Sequence, residues 1–159
     1  MDYKTLTTAI SGLLIGLLMM GLFGFSQNNQ TLMIEDPSKY DYETTIDHFE
    51  EAVDRAGWSI VNTHNMQQMM ERHGHHVNSI TIFEVCSARY SVKILEQDDE
   101  RVISPLMPCR VAIYEKSNGK TYISRMDNEA IGQPYGGVIQ NVMTTATRDV
   151  ENILAGLID

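Results

Sequence analysis

The distribution of apolar residues divides the chain into two unequal parts. From Ala9 to Phe25 only Ser11 interrupts a run of apolar residues and glycines, and from Thr5 onward the other polar side chains are threonines. A helix rises about 1.5 Å per residue, so roughly 20 such residues cross a hydrocarbon core about 30 Å thick. An unpaired backbone amide is costly in lipid, which favours helix throughout the run. The expectation is one N-terminal transmembrane helix. A cleaved signal peptide competes with it, because Gly24-Phe25-Ser26 has the small-x-small form of a cleavage site. Against that, the run exceeds the roughly 7–15 residues of a signal core. Gly12 and Gly16 have the spacing at which two membrane helices approach closely, but such glycines are more often just small residues in an apolar run.

After a polar linker (Ser26 to Gln30) the pattern becomes that of a soluble domain. Residues 1–30 are thus read as anchor and linker, and residues 31–159 as the soluble unit. Thr31 to Glu35 predicts a short strand stopped by Asp36-Pro37. Tyr42, Ile46, Phe49, Val53 and Ala56 recur in steps of four and three, predicting a helix capped at Asp41 and ended by Gly57. Trp58 to Val61 reads as a strand and Asn65 to His73 as a short helix with Met66, Met69 and Met70 on one side. Ile80 to Val85 is β-branched and aromatic, as an interior strand requires. Ser87 is expected to cap a helix reaching Gln97 that buries Tyr90, Ile94 and Leu95. Arg110 to Glu115 and Lys120 to Arg125 flank Asn118-Gly119 and predict a β-hairpin. Beyond a loop containing Pro134, Gly136 and Gly137, an amphipathic helix runs from Val138 towards Leu157. The resulting order, β-α-β-α-β-α-β-β-α, predicts an α+β fold: a mixed or antiparallel sheet with helices packed on one face, preceded by the transmembrane helix.

Charge sharpens this picture. The 159 residues carry a net charge of −9, with no basic stripe to neutralise phosphates, so a nucleic-acid partner is excluded. Lys4 and the amino terminus place positive charge before the apolar run. The positive-inside tendency, which counts lysine and arginine rather than net charge, leaves the N-terminus cytoplasmic and the domain periplasmic or extracellular. The membrane is then the first partner, through that helix.

Two strand-flanked motifs carry a resemblance. Phe83-Glu84-Val85-Cys86-Ser87, followed by Leu106-Met107-Pro108-Cys109-Arg110-Val111-Ala112-Ile113-Tyr114-Glu115, resembles the signature of the domain-of-unknown-function 302 family. The helix ending in Gly57-Trp58 is similar to the opening of that family, and the likeness extends from about Tyr42 to Leu157. It implies a compact α+β domain, often dimeric, with no agreed activity. Ser87-Ala88 stands where many members have Asn-Pro, which implies a shifted start for the following helix.

Candidate chemistry concentrates in two places. Cys86 and Cys109 are the only cysteines, and three uses stay open for them. An oxidising exterior permits a disulfide; a strand end before a helix N-terminus favours a thiolate ligand or redox nucleophile; and either cysteine packs readily as a small apolar residue. Their separation is not that of a CxxC pair. The second place holds His64, Met66, Met69, Met70, His73, His75 and His76. Imidazole and thioether sulfur suit copper, and also ligate haem axially. Cofactor-binding candidates are therefore Cys86, Cys109, His64 and His73, and metal candidates His73, His75, His76, Met66 and Met70. Methionines at helical spacing are more often core filler. No CxxCH motif is present, so haem would be held without covalent attachment. The acidic clusters Glu50-Glu51 and Asp98-Asp99-Glu100 read as surface, and no phosphate-binding loop or Ser-His-Asp arrangement is legible.

These features point to a membrane-anchored extracytoplasmic binding or redox accessory protein, with copper or haem as ligand, acting in electron transfer or metal handling. It would work as a homo-oligomer or as a subunit of a larger membrane complex. The alternative is a non-catalytic module that oligomerises and whose cysteines form a structural disulfide.

Overall fold

The computed structural model describes residues 32–159. The predicted transmembrane helix and most of the linker lie outside the described residues. Among the described residues, no helix is long and apolar enough to cross a membrane.

Five strands make one sheet: β1 Met33–Pro37, β2 Ser59–Asn65, β3 Ile80–Cys86, β4 Cys109–Glu115 and β5 Thr121–Met126. Their spatial order is β1-β5-β4-β3-β2 and every neighbouring pair is antiparallel, so the sheet is not mixed. Sequence-adjacent strands pair directly except where β1 reaches β5 across the sheet. The hairpin forms as its turn chemistry predicts: Gly119 adopts φ 72°, and Lys116 accepts from the Gly119 amide at 2.9 Å. β1 continues through Asp36-Pro37 instead of stopping before them. Pro37 pairs with Tyr122, and an edge strand tolerates a residue without an N–H because its outer side is unpaired. β2 runs four residues beyond the predicted Val61. A register shift between Ile60 and Asn62 breaks the alternation there, and as the opposite edge strand it exposes most of its polar residues.

The helices are α1 Tyr42–Arg55, α2 Met66–Arg72, α3 Ala88–Leu95, α4 Asn128–Gly132 and α5 Gly137–Leu154. Asp41 caps α1 by accepting from the Thr44 amide at 2.9 Å, and Gly57 ends it with φ 68°. Phe49 and Val53 of α1 meet Ala146, Val150 and Leu154 of α5 over one face of the sheet, where Phe83, Val85, Val111, Ile113 and Ile123 are buried. Burial of each large apolar side chain in that layer contributes about 1.5–3 kcal/mol. The other face keeps half-buried residues, among them Ile82, Ala112 and Tyr114.

Four local expectations need correction. α3 stops at Leu95, which is exposed, so of the predicted trio only Ile94 is fully buried. Ser87 occupies the cap position but makes no capping hydrogen bond. Its side chain is buried instead. The stretch between α3 and β4, where Pro105 and Pro108 are expected to break the chain, contains a 3-10 stretch, Asp99–Leu106. The segment after β5, expected as loop, contains α4, capped by Asp127 through the Ala130 amide at 2.9 Å.

Candidate functional site

A second, smaller apolar cluster lies beside the main core. Ile94, Ile103, Ile139, Val142 and Met143 form it, with Leu106 and Met107 packed against it. Tyr90 touches both clusters. At their junction the structure leaves a cavity of about 50 Å³. By that measure a water needs roughly 10–15 Å³, so the space holds a few atoms at most. Its walls carry no charged side chain.

Both cysteines line this cavity and both are free thiols. Cys86 ends β3 and Cys109 begins β4, with Val85 directly opposite Cys109 in the register. The chain between the cysteines builds α3 and the 3-10 stretch, and these carry Tyr90, Ser91, Ile94, Ile103 and Leu106 over the cavity as a lid. A cysteine therefore stands at each hinge of the lid. Cys86 Sγ lies 3.2 Å from Ser91 Oγ. Burial, together with the nearby Cys86, pushes the Cys109 thiol up to about 11, so it stays protonated at neutral pH unless something displaces the proton.

Asn128, at the start of α4, reaches the same place. Its Nδ2 donates to Cys109 Sγ at 3.6 Å, while its Oδ1 is buried without a hydrogen-bond partner. A buried acceptor left unpaired costs about 1–3 kcal/mol. On the far side of the lid, Asp149 Oδ2 accepts from Arg89 at 2.7 Å, from Tyr90 at 2.8 Å and from Trp58 at 3.4 Å. Those bonds fasten α3 to α5.

The histidine and methionine run is spread out. His64 lies on β2, with Nε2 3.1 Å from Glu84 Oε1, an oxygen that also accepts from Arg110 at 3.3 Å. α2 buries none of its residues, leaving Met66 and Met70 half-exposed. His73 closes that helix, and His75 and His76 are exposed in the loop after it. Among the described residues, no three or more His, Cys, Asp and Glu side chains are grouped so as to hold a metal ion. The structure thus brings Cys86 and Cys109 together and leaves the histidines apart from them. Asn128 and Met143 join the cysteines from remote parts of the chain. No periodicity or motif singles them out, since Met143 reads as one more core position of α5.

The family model for the domain of unknown function DUF302 matches residues 34–158. No curated protein matches the chain. Among solved structures, the crystal structure of an uncharacterized conserved protein DUF302 from Bacillus stearothermophilus is similar, with a TM-score of 0.71 at 16% identity. The match covers 79% of this chain and 98% of that one, and at that identity it shows a shared fold. With the family model spanning nearly every described residue and the fold shared with a solved member, the chain belongs to the DUF302 family.

Proposed function

We propose that this protein is a membrane-tethered extracytoplasmic accessory domain that binds copper(I) through Cys86 and Cys109 and serves in metal handling. The observation that carries the reading is the placement of both free thiols on one small apolar cavity, at the two hinges of its lid. Thiolate and thioether sulfur select soft ions such as copper(I). Structural zinc usually takes four ligands from cysteine, histidine or carboxylate, and the cavity offers two cysteines and no histidine or carboxylate. A monovalent ion between two thiolates, bound as both thiol protons leave, reduces their two negative charges to one, which lowers but does not abolish the desolvation cost in an apolar setting. Haem does not fit: pockets for molecules of drug size run to about 300–1,000 Å³, against about 50 Å³ here.

Anaerobic titration of the reduced protein with copper(I), supplied as its acetonitrile complex against a chromogenic chelator, tests this directly. Uptake of a single ion per chain is expected, with an ultraviolet sulfur-to-copper band, and its loss in Cys86→Ser and in Cys109→Ser. Failure of the parent protein to compete with the chelator removes the proposal.

A second reading, a structural disulfide, is favoured by the placement of both cysteines on the one small cavity. Such a bridge would close a loop of about 24 residues and contribute roughly 3 kcal/mol. A thiol count on unreduced protein separates the two, because a bridged pair has no thiolate to give to copper.

A further inference from the structure

Resting on the copper reading of the cavity, we infer that Met143 supplies a third, thioether ligand to the ion and that Asn128 is the positioning residue that holds Cys109 to it. Met143 lines the cavity with both cysteines and is almost fully buried. Its packing is specific. A Cβ added at Gly132 would stand 2.9 Å from Met143 Cβ and 3.0 Å from Met143 Sδ, so the absent side chain of Gly132 makes the room this thioether occupies. Gly132 has an ordinary helical φ of −76°, and its backbone makes no demand for glycine. The close approach of α4 to Met143 does.

The Asn128 amide points to a cation. With Nδ2 on Cys109 Sγ the sulfur is the acceptor, as a metal-bound thiolate is, and Oδ1 is left without a donor. Turning the amide over would let the Cys109 thiol donate to Oδ1 but would orphan the amide N–H groups instead. Both ends are satisfied together when a positive ion sits among the sulfurs: N–H to thiolate, and carbonyl dipole towards the charge. Amide oxygens act as weak, long ligands beside sulfur at copper sites, and partners hydrogen-bonded to a ligand commonly alter metal affinity 10- to 100-fold. An apolar occupant would leave Oδ1 unsatisfied. A trapped water would satisfy it without any metal, and the experiment distinguishes that case.

X-ray absorption on the copper(I)-loaded full chain counts sulfur scatterers, and three are expected in the parent protein. Met143→Leu, which conserves volume, should reduce the count to two and weaken copper(I) about 10- to 100-fold in the chelator competition. Gly132→Ala keeps Met143 but displaces its sulfur, and should do the same. Asn128→Leu should weaken binding about tenfold with the count unchanged. A parent protein that binds copper with two sulfurs only, or variants that match it in affinity and sulfur count, overturns this inference and leaves the dithiol reading standing. Absence of copper uptake by the parent protein fails the dithiol reading itself, and a crystallographic water on Asn128 Oδ1 in the copper-loaded chain overturns the role given to that amide.

Discussion

Arg125 is the one fully buried charged side chain among the described residues, at 5% exposure. It lies on β5 opposite Val111, on the helix-covered face, where an apolar residue would be expected from the alternation. Its Nε and Nη2 donate to the two carboxylate oxygens of Glu151 on α5, at 2.8 and 2.5 Å, and Nη1 donates to Asp36 on β1. Burial alone would lower its pKa, but the two carboxylates outweigh that and raise it. The guanidinium therefore stays charged and ties the edge strand to the longest helix. Removing one partner of a buried ion pair typically costs 3–5 kcal/mol. Asp36 and Glu151 are each about a third exposed, so water relieves part of their loss. Arg125→Met is expected to lower the unfolding free energy by about 2–3 kcal/mol in urea denaturation. Arg125→Lys should recover only part of it, because an ammonium cannot make the two-pronged contact with Glu151. A loss within experimental error in Arg125→Met would show that the three groups are not coupled.

The lid over the cavity is one element in two pieces, α3 and the 3-10 stretch, and Asp149 is its outer fastening. Three donors converge on a single oxygen of that carboxylate, but Arg89 is 59% exposed and its share is screened. Asp149→Ala is expected to cost about 1–2 kcal/mol overall. Its local effect should be larger than its global one: amide exchange across residues 88–95 should accelerate about tenfold relative to β3 and β4. Uniform acceleration throughout the domain would contradict a local fastening. The same element shows where the sequence could be read and where it could not. α1, α5 and the hairpin carry continuous periodicity or a turn that demands glycine, and each forms close to its expected place. Leu95 breaks the apolar face predicted for α3, being exposed at the helix's last position. Asp99–Leu106 carries no legible helical period, since Pro105 and the acidic pair Asp99-Glu100 mask it. Cys86 and Cys109 were identifiable as candidates because cysteine is rare here and both stand at strand ends. Asn128 and Met143 become neighbours of Cys109 only through the packing of α4 and α5, a convergence that local pattern does not encode. The histidine run is conspicuous in composition, yet the edge strand β2 and the exposed turn after α2 draw its members apart.

A copper site in such a cavity is useful only where copper(I) must be carried, and the proposed tether determines where that is. The folded unit spans 34–158 in the family match, so everything it needs for its core follows the linker Ser26 to Gln30. Its sheet is an open one built from strands within that span, with Met33–Pro37 as one edge and Ser59–Asn65 as the other. The opening apolar run lies outside that span, and the proposed tether gives its composition a use in lipid. Insertion of about 20 apolar residues is effectively irreversible, whereas a folded acidic domain has no electrostatic reason to stay on an anionic surface. Two preparations should consequently behave in opposite ways. The full chain, expressed in a bacterium, is expected to sediment with membranes and to resist carbonate washing. Residues 31–159 alone should stay in the supernatant with the circular dichroism of the α+β domain. Release of the full chain by carbonate, with Met1 still present by mass spectrometry, would remove the tether from the proposal. Release of a shorter chain beginning near Ser26 would instead identify the run as a cleaved export signal, which keeps the domain outside but frees it from the membrane. In either of the last two cases the cavity chemistry is unaffected, because Cys86, Cys109, Met143 and Asn128 all belong to the folded unit.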